Sequence, residues 1–146
     1  DDEKHGFLPG DLNSKMEPWT RPLFDVLREY YSAKEVTAML ENQTIEISPL
    51  AFMRGRTFKD AWIIADEMQN ATPSQMKMLM TRIGENSKIV ITGDVEQTDR
   101  TVYNNGLIDL CKRLETKREG LAVCYMTNKD IQRHPIIDTV LELYAT

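Results

Sequence analysis

Ala61-Trp62-Ile63-Ile64-Ala65-Asp66-Glu67-Met68-Gln69-Asn70 decides the fold, and Ile89-Val90-Ile91-Thr92-Gly93-Asp94 repeats its pattern with Gln97 close behind. In each stretch a short apolar run is cut off by carboxylates. Such a run predicts a strand covered on both faces, as in a parallel sheet. Acidic groups just past a strand of this kind sit at its carboxyl end, where open α/β sheets bind their ligands. The two stretches together point to a nucleotide and its magnesium at the mouth of a sheet.

Outward from these strands, the pattern alternates between helix and strand. Pro18 to about Tyr31 predicts a helix with Pro18 at its first position and Trp19, Leu23, Val26, Leu27 and Tyr30 on one stripe. Lys34 to Leu40 predicts a second, and Thr44 to Ile47 a strand stopped by Pro49. Thr72-Pro73 opens a helix running to about Arg82 before Gly84. Ser87 to Thr92 is the echoing strand, Gly106 to Leu114 a helix and Leu121 to Met126 a last strand. Pro135 to Tyr144 is a closing helix with Ile136, Ile137, Val140, Leu141 and Tyr144 inward. This alternation gives an α/β class, a parallel sheet with flanking helices. Pro9-Gly10 marks a turn near the start.

The 146 residues suffice for one domain over residues 1–146 with a real core. A hydrophobic share of 41% and a charged share of 28% are ordinary for a globular chain, and no run reaches membrane-spanning length. A cytoplasmic location and no membrane partner are expected. The net charge of −5 argues against a chain-wide basic surface while leaving room for a local basic patch. Cys111 and Cys124 have no zinc or disulfide spacing and read as small core residues in a reducing compartment. The opening Asp1-Asp2-Glu3-Lys4, without Met, reads as a cut end.

Asp66 fits a magnesium ligand, because that ion keeps several waters and needs only one carboxylate besides the phosphates. Glu67, one residue on, suits orienting a water and accepting its proton. Gln97 suits a terminal phosphate or the attacking water, and Gln69 and Asp94 approach the same site. The bland alternative is a pair of solvated strand ends. Arg54 and Arg56 flank Gly55 on a loop, where guanidinium forks suit phosphates of a nucleotide or a nucleic-acid backbone, or simply face solvent. Arg82 ends a helix, where a cation offsets the dipole. Arg133 precedes the closing helix and either reaches a phosphate or does not. His5 and His134 have no partner at metal spacing. Met76, Met78 and Met80 cannot share one helix face, so core filling accounts for some of them. A phosphate cradle of the form G-x-x-x-x-G-K-[ST] is absent from the sequence.

Leu8-Pro9-Gly10-Asp11-Leu12, Pro49-Leu50-Ala51-Phe52-Met53-Arg54-Gly55-Arg56-Thr57, Asp66-Glu67-Met68-Gln69-Asn70 and Thr92-Gly93-Asp94-Val95-Glu96-Gln97-Thr98-Asp99 resemble the PhoH family. These are phosphate-starvation-inducible P-loop ATPases related to superfamily-one helicases, and the resemblance runs from about Gly6 to Tyr144. It implies a RecA-like P-loop core that lacks its first strand and phosphate loop here, so the chain is expected to be the carboxy-terminal majority of such an ATPase. It also implies ATP and Mg2+ as cofactors, Asp66 and Glu67 as the Walker B pair, and Gln97 in the phosphate-sensing motif. Gln69, Asp94 and Arg133 join them as nucleotide-binding residues. Action on RNA or other single-stranded nucleic acid follows, as does assembly of homo-oligomeric rings with Arg133, Arg82 or Arg56 donated across an interface. The missing strand belongs between those ending at Thr92 and Met126, so a central gap in the sheet and weak or absent ATP binding are expected. Two other functions stay open: a non-hydrolysing assembly or regulatory module, and a metal-dependent phosphoesterase built from Asp66, Asp94 and Asp99.

Overall fold

A computed structural model describes residues 12–99 and 101–145, with side chains from Thr20 onward apart from Val102. The Pro9-Gly10 turn, His5 and the first four residues of the Leu8–Leu12 motif lie outside the described residues. The chain divides into two compact units, Asp1–Leu110 and Cys111–Thr146.

In the first unit, α1 spans Leu12–Tyr30 and α2 spans Ala33–Glu41, and the two pack on each other. α1 begins earlier than the expected Pro18, so Pro18 and Pro22 lie inside it. Of its expected stripe, Leu23, Val26 and Tyr30 are exposed. A reciprocal cap starts α2: the Glu35 amide donates to Ser32 Oγ at 3.1 Å, and the Ser32 amide donates to Glu35 Oε2 at 2.8 Å. Val36 carries the buried face of α2.

Thr44–Ile47 does not form the expected strand. Asn42 Oδ1 accepts from both the Thr44 amide (2.9 Å) and the Thr44 hydroxyl (2.6 Å), and the Ile45 amide donates to the Met39 carbonyl at 3.0 Å. These local bonds occupy the groups a ladder would need, a competition at which Asn and Thr excel.

Strand β1 (Trp62–Ala65), helix α3 (Pro73–Met80) and strand β2 (Lys88–Ile91) follow as a parallel unit. The register pairs Trp62 with Lys88, Ile63 with Ile89, Ile64 with Val90 and Ala65 with Ile91. Thr72 and Gln75 cap α3 reciprocally, with Pro73 at the first position as its fixed φ favours. Met76 and Leu79 turn into the core while Met78 and Met80 are half-buried, so core filling accounts for the methionines in part. Both strands were expected to be covered on two faces, but only one face is. Ile63, Ala65, Ile89 and Ile91 are half-buried, whereas Trp62, Ile64, Lys88 and Val90 form an exposed face. The Lys88 ammonium lies 5.1 Å from the Trp62 ring centroid and shields part of that face.

The core of this unit is small: Val36, Met53, Met68, Ala71, Met76, Leu79 and Leu107, with Pro49 also buried. Into it goes one fully buried amide, Asn105, at 0% exposure. Its Nδ2 donates to the Gln69 carbonyl (2.8 Å) and to Thr98 Oγ1 (2.9 Å). Its Oδ1 accepts from the Leu107 and Ile108 amides, both at 3.0 Å, which caps α4 (Gly106–Arg113). Gly106 permits this approach, since a Cβ there would lie 2.4 Å from the Thr72 carbonyl oxygen.

In the second unit, a turn around Gly120 (φ 83°) brings Arg118 and Leu121 into a single antiparallel bridge. Among the described residues the expected strand Leu121–Met126 makes no further ladder and the sheet has two strands. A run with strand-like composition becomes a strand only where a neighbour accepts its backbone bonds. Helix α5 is Ile136–Tyr144, and the stripe expected to face inward is exposed throughout: Ile136, Ile137, Val140, Leu141 and Tyr144. Cys111 is half-buried, but Cys124 is exposed rather than core-filling, because the strand expected to carry it inward does not form. No described helix is long and apolar enough to cross a membrane.

Removing the buried cap should unsettle the first unit more than removing an exposed one. Asn105→Ala is expected to cost about 2–4 kcal/mol, since it leaves two helix amides without acceptors inside the core. Ser32→Ala, at an exposed cap, should cost about 1 kcal/mol. Urea unfolding of the two variants checks the order.

Candidate functional site

The carboxyl ends of β1 and β2 lie level and are bonded to each other. The Thr92 amide donates to the Ala65 carbonyl at 3.0 Å, and the Met68 amide donates back to the Thr92 carbonyl at 2.9 Å. Asp66 and Glu67 occupy the two positions between these bonds. Asp66 is exposed, and one of its oxygens, Oδ1, accepts a short hydrogen bond from the Thr92 hydroxyl. This bond orients the carboxylate through one of its oxygens.

Glu67 breaks the strand direction. Its backbone is left-handed (φ 56°, ψ 49°), a conformation costing an L-residue roughly 1–2 kcal/mol. Strain of this kind is often held at functional sites. Beyond it, Met68–Asn70 form a 3-10 turn that buries Met68 and Gln69.

A hydrogen-bonded series then runs through the remaining residues. Gln69 Nε2 donates to Glu67 Oε2 at 2.7 Å, and Gln69 Oε1 accepts from the Asp94 amide at 3.3 Å. Asp94 Oδ1 accepts from the Glu96 amide at 2.9 Å, and Oδ2 accepts from Gln97 Nε2 at 2.8 Å. Asp66, Glu67, Gln69, Asp94 and Gln97 are thus brought together at the ends of two adjacent strands. Gly93 makes the fit possible, since a Cβ there would lie 2.6 Å from a Leu107 methyl and 3.1 Å from the Gln69 amide nitrogen.

Other residues at the site escaped sequence reading. Thr92, Thr98 and Asn105 support it through Asp66 or Gln69, and Thr98 Oγ1 donates to the Gln69 carbonyl at 2.8 Å. Asn105-Gly106 ahead of an apolar helix is a cap signal. Its bond to Gln69 spans 36 positions and leaves no local trace.

The arginines differ in their surroundings. Arg56 forks onto Glu46, with Nη1 at 2.5 Å and Nη2 at 3.0 Å, and its guanidinium lies 4.4 Å from the Phe58 ring centroid. These bonds, and secondarily the opposite charge, hold the Glu46 carboxyl below its usual range against the opposing effect of burial. Arg82 Nε donates to the Met78 carbonyl at 3.1 Å and so caps the end of α3. Arg54 is exposed on the turn with Gly55 (φ 79°). Arg133 belongs to the second unit, where it pairs with Asp138 at 2.8 Å, and the neighbouring His134 Nδ1 accepts from the Ile136 amide.

As a metal site, the strand end offers Asp66, a carboxylate held through one oxygen by Thr92. Among the described residues no group of three His, Cys, Asp or Glu could hold an ion. Asp66, Asp94 and Asp99 accordingly form no such group among the described residues. Asp66 fits magnesium only in the manner of sites where phosphates and water complete the shell.

Comparison with known proteins agrees with the motifs. The family model described as PhoH-like protein matches residues 1–145. A PhoH-like protein of Synechocystis sp. is 44% identical over 142 residues, covering 97% of this chain and 43% of its own length. One from Bacillus subtilis is 43% identical, covering 97% and 44%. Protein PhoH of Escherichia coli is 40% identical over 148 residues, covering 99% and 41%. The chain spans less than half the length of these relatives. By matched length and identity, it belongs to the PhoH-like family.

Proposed function

We propose that this chain supplies the hydrolytic half of a magnesium-dependent ATPase site that serves RNA or other nucleic-acid handling. The observation that carries the reading is the convergence of Asp66, Glu67, Asp94 and Gln97 at the level carboxyl ends of two parallel strands. That is where such sheets bind nucleotides.

Asp66, steadied by Thr92, would hold Mg2+ through its second oxygen. When bound, the ion supplies charge neutralisation at the phosphates. Glu67 is the residue proposed to orient the attacking water and take its proton. Gln97 is proposed to hydrogen-bond the terminal phosphate or that water, with Asp94 fixing its amide. Of the basic residues, the exposed Arg54 suits a nucleic-acid phosphate, whereas Arg56 and Arg82 are engaged by Glu46 and the end of α3. If subunits form a ring, Arg133 is the better arginine to cross an interface. Its partner Asp138 is itself exposed and easily exchanged for a phosphate.

Three outcomes are expected. Joined to a glycine-rich phosphate loop, Glu67→Gln should lower ATP turnover by about 10²–10⁴-fold while ATP binding persists. Unchanged turnover would favour the non-hydrolysing module. ATP titrated calorimetrically into the chain alone should give no micromolar binding, because no cradle of amides and lysine is present to hold the phosphates. Finally, Glu67→Gly and Glu67→Ala both remove the carboxylate, yet the glycine variant should be more stable by about 1 kcal/mol because glycine adopts the left-handed backbone without the Cβ clash. Equal urea midpoints would refute that backbone geometry.

A further inference from the structure

Gln69 stands apart from its neighbours at the site. Asp66, Glu67, Asp94 and Gln97 are exposed, but Gln69 is buried at 6% exposure. Both ends of its side-chain amide are engaged within the protein, toward Glu67 and toward the Asp94 amide. Its backbone is equally fixed, because its carbonyl accepts from Thr98 Oγ1 and from the buried Asn105, each at 2.8 Å. A residue so placed is unsuited to contact a ligand directly.

We propose that Gln69 is a positioning residue whose buried amide ties Glu67 to the turn carrying Asp94 and Gln97, so that the two reactive groups move as one unit. Residue chemistry narrows the choice. Gln69 donates to a carboxylate on one side and accepts from a backbone N–H on the other, a pairing that the two ends of a primary amide supply. A flipped amide would set oxygen against oxygen at Glu67 and N–H against N–H at Asp94, so one orientation alone satisfies both partners. Leucine or methionine could fill the space but neither bond, and glutamate could not donate when ionised. Gly93 presses the arrangement further, since a Cβ there would lie 3.2 Å from Gln69 Oε1. The assignment rests on the proposed role of Glu67 in hydrolysis, though the linkage itself is a property of the folded chain.

Amide hydrogen exchange on the 146-residue chain tests the linkage without requiring any activity. Glu67→Ala removes the anchor of Gln69 Nε2, and protection at the Asp94 amide should fall roughly five- to tenfold, the equivalent of about one net hydrogen bond. Protection at Met68 and Leu107, whose acceptors are Thr92 and Asn105, should stay the same and show that the fold is intact. Gln69→Met should release Asp94 similarly, and adding Glu67→Ala to it should change nothing more. A merely structural glutamine would leave Asp94 indifferent to Glu67. Asp94 protection that is unchanged in Glu67→Ala, or still sensitive to it in the Gln69→Met background, overturns the proposal. Failure of the ATPase reading shows separately, as turnover that survives Glu67→Gln.

Discussion

The level alignment of two parallel strand ends governs everything at this site. Ala65 pairs with Ile91, and the chain makes one more exchange beyond the strands, Thr92 to Ala65 and Met68 to Thr92. Backbone hydrogen bonds of this kind fix the register of the two chain segments. Whatever follows β1 must therefore face whatever follows β2. Shifting the register by one residue would move Asp66 away from the Thr92 hydroxyl and turn every strand side chain to the opposite face.

Around that alignment the protein uses polar contacts where a larger domain would use apolar area. The buried core is modest and is joined by a fully enclosed asparagine. Asn105 satisfies both helix amides at the start of α4 and the carbonyl of Gln69, so helix and site share one anchor. Fully satisfied buried amides specify a single arrangement, because any displacement leaves donors and acceptors unmet. The same logic holds for Gln69 on the other side of that carbonyl.

Apolar surface is left uncovered in both units considered separately. Trp62, Ile64 and Val90 are exposed on the sheet, and the apolar stripe of α5 is exposed along its length. Parallel sheets are normally buried on both faces. The chain also spans less than half the length of its PhoH-like relatives.

Much was legible in the sequence because its signals are local. The cap at Thr72-Pro73, the helical pattern from Lys34 to Leu40, the two apolar runs and the acidic residues that end them pointed to α2, α3, β1 and β2 and grouped the candidate site residues. The motifs gave the family, since short runs of fixed spacing are compared residue by residue. Where partners lie far apart in the chain, the sequence was silent. Nothing local tells Leu121–Met126 that, among the described residues, it makes no ladder beyond the single bridge to Arg118, and Thr44–Ile47 reads as a strand until Asn42 is seen to occupy its backbone. Likewise, Gln69 in isolation is a polar residue after two carboxylates. Only the tertiary structure, by bringing Asp94 and Asn105 to it across 25 and 36 positions, decides that it is an interior strut, because burial and hydrogen-bond partners are properties of the folded surroundings and not of the residue.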